Sequence, residues 1–200
     1  MEKTHADPSP IGTFWMLDLA SSSAISVAPH IPAVFQQIDS WEVSSLAQAM
    51  GVDEAAVLQR MSRGCRCYVA KVKDVLAAYG WVTLEDKEEI GELGLSFYLA
   101  KGNAYIWDCG TLPAYRGQRL YPALLAVMVE ALRAGGFVRV WVGADTDNVA
   151  SQRGIVLAGF QPIADIVIDA GSTARPLQLR GCPGTPLHLV MDVSRALFNE

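Results

Sequence analysis

The chain has 200 residues, 51% of them hydrophobic and 18% charged, with a formal net charge of −5. That length and composition suit a substantial core in one domain, residues 1–200, and exclude a disordered chain. The acidic balance argues against a protein built around a basic nucleic-acid face, and no apolar run is long enough to span a bilayer.

Met1 to Pro10 is polar, carries charges and prolines, and reads as a loose tail and not as a signal peptide. Phe14 to Leu19 is apolar enough for a short strand. Pro29 and Pro32 break any helix near them. From Ile31 to Arg63 the pattern is helical, in two or three short pieces, with Gly51 and Asp53 as a stop and a new cap. Cys65–Val72 and Val75–Leu84 read as a hairpin joined at Lys73 and Asp74. Glu85 to Glu89 reads as a solvated acidic turn. Leu93–Ala100 and Tyr105–Leu112 read as a further strand pair, with Lys101, Gly102 and Asn103 as the turn.

Pro122 to Ala134 is the clearest helix, with a wide apolar stripe, Pro122 at the first helical position and Gly135–Gly136 as the stop. Phe137–Val142 is a buried strand and Asn148–Ala158 a second helix ended by Gly159. Pro162–Ile168 is a strand, Ala170–Pro186 a long loop, and Leu187–Val193 a final strand. The order implies a mixed α+β sheet with helices on its faces. The four cysteines, Cys65, Cys67, Cys109 and Cys182, give neither a disulfide framework nor zinc spacing, so buried thiols in a reducing cytoplasm are expected and no metal.

The stretch that carries chemistry runs from Tyr105 to Phe160. A strand ends at Thr111–Leu112–Pro113, then Arg116–Gly117–Gln118–Arg119–Leu120–Tyr121 leads into the strong helix. A helix start leaves N–H groups unpaired at the positive end of its dipole, and a pyrophosphate can take them. Arg116 and Arg119 can add charge-assisted hydrogen bonds. The residues alone leave a second reading open, an ordinary loop with two solvated arginines. The segment is neither the dinucleotide fingerprint nor a P-loop. Further on, Asn148 and Ser151 share one helix face, where an amide and a hydroxyl can meet a polar ligand; Asn148 also suits the helix cap.

The combination "TLPAYRGQRLYPALL", then "N-V-A-S", then "A-G-F" resembles the GCN5-related N-acetyltransferase (GNAT) family. The match covers about residues 64–168; residues 1–63 form an N-terminal helical part and 169–200 a C-terminal loop and strand. The resemblance implies an acyl-CoA N-acyltransferase fold: a central, mostly antiparallel twisted sheet with splayed central strands and helices on both faces. It implies acetyl-CoA as cofactor, held by Arg116, Gly117, Gln118, Arg119, Leu120, Tyr121 and Pro122 at its pyrophosphate. Cys109, Gly110 and Thr111 would run along its arm, and Asn148 and Ser151 would approach from the other side. The splayed strands would be Tyr105–Leu112 and Phe137–Val142. Two departures stand out. Arg119 and Tyr121 occupy the usual positions of the two family glycines, and Ile155 occupies that of the tyrosine acid.

The family reaction is attack of an amine on the thioester, with a backbone N–H near Thr111 polarising the carbonyl. A carboxylate takes the amine's proton. Asp108 and Asp145 are the two candidates, with Glu92 a weaker third. Tyr121 is a candidate for the missing acid. His5, His30 and His188 lie outside the matched segment, and Cys109 has no histidine nearby in the chain for covalent catalysis. Trp81, Trp107 and Trp141 read as core. The acceptor, a small-molecule or peptide amine, would lie against the segment from Ile31 to Arg63. Neither a nucleic-acid nor a membrane partner is expected, and a homodimer is left open.

Two other readings compete. A module of the same fold could bind CoA as a sensor without catalysis. The segment "LAQAMGVDEAAVLQRMSRG", residues 46–64, has the rhythm of a helix-turn-helix, with Gln59, Arg60 and Arg63 as its readers; its alternative is a helix pair that covers the sheet.

Overall fold

A computed structural model describes residues 9–84, 87–90, 95–168 and 177–198. Ten strands and five helices follow in chain order: β1 (Pro10–Asp18), β2 (Val34–Gln37), α1 (Val43–Met50), α2 (Glu54–Ser62), β3 (Arg66–Val72), β4 (Val75–Leu84), β5 (Lys87–Ile90), β6 (Leu95–Tyr98), β7 (Asn103–Thr111), α3 (Leu120–Ala134), β8 (Arg139–Asp145), α4 (Val149–Leu157), β9 (Gln161–Ile168), β10 (Leu177–Gly181) and α5 (Leu187–Phe198). Eight strands form one sheet in the order β10-β9-β1-β8-β7-β4-β3-β2; β5 and β6 pair with each other. Every pairing is antiparallel except β7 with β8.

Alternation along the strands feeds two opposite faces. Trp15, Tyr68, Ala78, Val82, Ile106, Val140 and Val142 meet α3 and α4 through Leu124, Met128, Leu132 and Ile155. On the other face, Cys67, Val69 and Trp81 receive Leu46 of α1 and Val57 of α2. Phe14, Met16, Tyr105 and Trp141 receive Val193 and Leu197 of α5. Helices therefore cover both faces of a mostly antiparallel sheet. No helix among the described residues is long and apolar enough to cross a membrane.

The β3–β4 hairpin turns on Lys73 and Asp74, both with positive φ (49° and 64°), the geometry that matches strand twist in a two-residue turn. Gly51 ends α1 in the left-handed region, and the α1–α2 pair lies on the sheet as a cover.

Several sequence expectations are corrected. Val34–Gln37 is an edge strand, not helix; four residues just after Pro32 carry no period to read. The acidic turn at Glu85–Glu89 is in part strand β5, and Glu88 is buried, because β5 folds back over the sheet; residues 85 and 86 lie outside the described residues. The expected partner of Tyr105–Leu112 is different: β6 pairs with β5, while β7 lies between β4 and β8. Phe97 of β6 stacks on Phe14 and Tyr105, at 5.2 and 5.1 Å between centroids, which docks the small hairpin on the sheet. Helix α3 begins at Leu120, so Pro122 is its third residue, still within the turn where a missing N–H costs nothing. The strand read at Phe137–Val142 is shifted to Arg139–Asp145. Strand β10 occupies part of the expected loop Ala170–Pro186, of which 170–176 lie outside the described residues. The final strand read at Leu187–Val193 is helix α5, whose buried residues Val193 and Leu197 are one turn apart.

Candidate active site

Strands β7 and β8 run parallel and pair only from Asn103↔Arg139 to Ile106↔Val142. Beyond that point β7 stays with β4 as far as Thr111, and β8 stays with β1 as far as Asp145. The strands part into a V, and each leaves an unpaired edge inside it. The splay expected of these strands is present.

A bulge marks the start of the V. Tyr79 pairs with Gly110 and Trp81 with Trp107, so Asp108 and Cys109 together oppose the single residue Gly80. Asp108 takes φ +40°, as a bulged residue does. The Leu112 N–H donates to the Ala77 carbonyl. By alternation the Thr111 amide points the other way, into the V. Gly110 has no room for a side chain: a Cβ would lie 2.6 Å from Cζ of Tyr79.

The loop after β7 makes a 3-10 turn at Pro113–Tyr115, passes Gly117 (φ +76°), and enters α3 at Arg119, which caps the helix with φ +56°. That left-handed backbone is one glycine adopts freely, and Arg119 adopts it with a side chain attached. The departure from the family pattern is thus in the side chain, not in the path of the chain. Arg116 Nε donates to the Thr111 carbonyl at 3.2 Å, and the His30 N–H donates to the Gln118 carbonyl at 2.9 Å.

Across the V, Asn148 caps α4, its Oδ1 accepting from the Ser151 N–H at 3.1 Å. Cap and face are the same residue, as the spacing suggests. The Ser151 hydroxyl lies 3.2 Å from the Tyr121 hydroxyl. Gly154 makes room for that phenol, since a Cβ there would lie 2.5 Å from the Tyr121 ring. Ile155, at the usual tyrosine position, is fully buried in the core.

Two clefts meet at the V. One, of about 920 Å³, gathers every position expected to hold the cofactor: Cys109, Gly110, Thr111, Arg116 through Pro122, Asn148 and Ser151. Its wall also includes His30, Tyr79 and Arg153, which sequence reasoning missed. The other, of about 690 Å³, opens on the opposite face of the sheet and is lined by Phe14, Glu88, Tyr105, Trp107, Asp108 and Asp145, among others. Cys109, Tyr121, Asn148 and Ser151 border both.

The titratable groups at this junction are fixed by their surroundings. Burial, then the Asp108 carboxylate, pushes the Cys109 thiol up to about 12, so it stays protonated and is a poor nucleophile. Burial likewise raises the Tyr121 phenol far above its ordinary range, so it remains a hydrogen-bond donor. Asp108 is ion-paired with Arg60 of α2. The Arg60 guanidinium also lies over the rings of Trp81 and Trp107, at 5.2 and 4.6 Å. Asp145 ends β8 and is exposed to the cleft, with no ion pair among the described residues. Gln152 Nε2 donates to the carbonyls of Asp145 and Thr146, at 2.8 and 2.9 Å, and holds that corner. Glu88 is buried, accepts from the Thr83 hydroxyl and lies 3.4 Å from Arg63. Neither Arg60 nor Glu88 has a sequence motif; each reaches the site through tertiary folding.

A family model described as the Acetyltransferase (GNAT) family matches residues 35–160. The chain belongs to that family. Among solved structures it resembles a GNAT-family acetyltransferase from Colwellia psychrerythraea, at 17% identity and TM-score 0.53, over 78% of this chain and 54% of that one. It also resembles a GCN5-related N-acetyltransferase from Kribbella flavida, at 18% and 0.54, over 85% and 62%. A third, solved with the bisubstrate analog CoA-S-monomethyl-acetylneamine, matches at 13% and 0.51, over 65% of this chain and 91% of that one. At these identities the likeness is one of fold, and the chain spans little more than half the length of the first two. Comparison with the curated proteins finds no sequence match. GNAT enzymes are acyltransferases whose members bind acetyl-CoA or CoA and act on small-molecule or peptide acceptors.

Proposed function

We propose that the protein transfers an acetyl group from acetyl-CoA to an amine, with donor and acceptor meeting at the V from opposite faces of the sheet. The observation that carries this reading is the pair of clefts that share Cys109, Tyr121, Asn148 and Ser151. A long donor fits one cleft and an acceptor the other, with the reacting atoms at the shared wall.

The residues present fit acetyl-CoA. Arg116, Arg119 and Arg153 offer cationic donors, and the first turn of α3 adds the Leu120 and Tyr121 amides at the positive end of its dipole. The open edge of β7 offers main-chain groups to an amide-bearing arm, and Asn148 and Ser151 stand across from it. Acetyl-CoA supplies an activated acyl thioester, whose C–S bond breaks as the amine's N–C bond forms.

In this reading Asp145 takes the proton of the amine. Asp108, the other candidate base, is held by Arg60 and anchors the bulge. The Thr111 N–H polarises the thioester carbonyl. The Tyr121 hydroxyl, kept protonated by burial, donates to the departing sulfur in place of a residue at Ile155. Holding both reactants at one junction supplies much of the rate.

The test has two readouts. Acetyl-CoA in excess should raise the melting temperature, since it binds the native state alone. A panel of amines should then release free thiol above the hydrolysis rate. Stabilisation without turnover on any amine would favour the CoA-binding sensor; no stabilisation would count against both.

A further inference from the structure

The two clefts differ in charge. Among the described residues, the cleft beside α3 and α4 is lined by His30, Arg116, Arg119 and Arg153 and by no carboxylate. The cleft on the opposite face is lined by Glu88, Asp108 and Asp145 and by no lysine, arginine or histidine. The sign of the lining reverses across the gate formed by Cys109 and Tyr121. A basic wall suits the phosphates of the donor; the acidic wall must suit the acceptor.

We propose that the acceptor is a carboxylate-free amine carrying a second ammonium group, a diamine or polyamine, with one amine at Asp145 and the remote ammonium at Glu88. The proposal rests on the acyl-transfer reading above and specifies its acceptor.

Glu88 sits where a carboxylate is least at home. It is 3% exposed, and its neighbour Thr83 is also engaged by the Trp107 indole N–H, at 2.9 Å. Its cationic partner Arg63 stands outside the lining, with its own side chain 40% exposed to solvent. Arg60 likewise stands outside the lining, beyond Asp108. Glu88 and Asp108 thus line the cleft while their cationic partners stand outside its lining. Phe14 and Tyr105 supply aromatic walls, which attract a cation in a partly desolvated site, while the Trp107 ring already carries the Arg60 guanidinium. An acceptor with its own carboxylate would meet the Asp145 carboxylate, two ion-paired carboxylates and no cationic donor in the lining, the kind of mismatch by which sites reject a partner.

Three amines of matched length test the remote group: diaminobutane, butylamine and aminobutyrate, which end in an ammonium, a methyl and a carboxylate. With saturating acetyl-CoA, kcat/KM should fall in that order, by about tenfold at the first step, as loss of a charged hydrogen bond predicts. Glu88→Gln should raise the KM for diaminobutane by about tenfold and leave those for butylamine and acetyl-CoA within about twofold. Should that variant fail to fold, the series of three amines on the wild-type protein carries the test by itself. Equal kcat/KM for the three amines, or a preference for aminobutyrate, would overturn the proposal while leaving acyl transfer intact. If acetyl-CoA binds but no amine releases thiol, calorimetry of diaminobutane against the CoA complex decides, and absence of heat overturns it. Failure of the donor reading is separately recognisable, as the lack of any thermal shift with acetyl-CoA alone.

Discussion

The Arg60 guanidinium, carried on α2, is ion-paired with the carboxylate of Asp108 on β7 while it lies over Trp81 and Trp107. One side chain thereby ties the helix pair to the bulge from which the V opens. The second helix of the segment with a helix-turn-helix rhythm turns this arginine inward.

Removing that tie should loosen the bulge. Arg60→Gln is expected to cost about 1–2 kcal/mol of stability through the lost stacking. It should lower kcat about tenfold with little change in the KM for acetyl-CoA, the pattern of lost transition-state positioning. Lysine keeps the charge without the flat fork, so Arg60→Lys should recover stability only in part. Unchanged kcat in Arg60→Gln would deny the link.

Arg119 separates backbone strain from phosphate contact. Arg119→Gly should relieve about 1 kcal/mol of left-handed strain and raise the melting temperature, while weakening CoA. Arg119→Ala and Arg116→Ala should weaken CoA without any gain in stability. In each variant the loss should be far smaller for dephosphorylated pantetheine. Titration calorimetry on both ligands reads this out, and equal losses would mean that neither arginine holds phosphate.

Tyr121→Phe should lower kcat by about ten- to hundredfold and leave KM values near wild type, the range of a single acid or donor group. Because burial keeps the phenol protonated well above neutral pH, the alkaline limb of the rate profile should survive in the variant. Its disappearance would show that Tyr121 itself titrates there.

Glu42 makes stability depend on pH. Burial acts to raise its carboxyl, but Lys71, the Asp39 N–H and Gln36 outweigh burial and hold it below its ordinary value of 4.5. A carboxyl lowered by folding stabilises fully above that ordinary value, and the gain is lost as pH falls through the lower folded one. The melting temperature of Glu42→Gln should therefore lie below wild type at pH about 6 and converge on it in acid. A gap that persisted at low pH would assign the effect to packing alone.

Local patterns were readable where they had enough chain to repeat in. The stripe of α3, the β3–β4 join at Lys73–Asp74 and the capping role of Asn148 are all evident in the sequence and present in the fold. Leu187–Val193 alternates like a strand, and the helical spacing of α5 shows only when Leu197, one turn beyond Val193, is included. Strand β2 and strand β5, four residues each, are too short to declare a period. The positions expected to hold a cofactor, from Cys109 to Ser151, line one cleft in the fold. Glu88 and His30 were not legible in the sequence, because only the folded chain carries them to the clefts, and Arg60 meets Asp108 only through the packing of α2 on the sheet.

Strand β1 lies between β8 and β9, antiparallel to both, with Gly12 opposite Asp145 and Met16 opposite Trp141 and Gln161. It precedes the stretch that matches the family, yet one arm of the V leans on it for its hydrogen bonds. A fragment trimmed to residues 35–160 would expose the outer rim of β8 as a raw, sticky edge. During synthesis β1 must wait for β8 and β9, which lie far later in the sequence. The β8 arm of the V thus depends on a pairing of high sequence separation, the kind of contact that forms slowly.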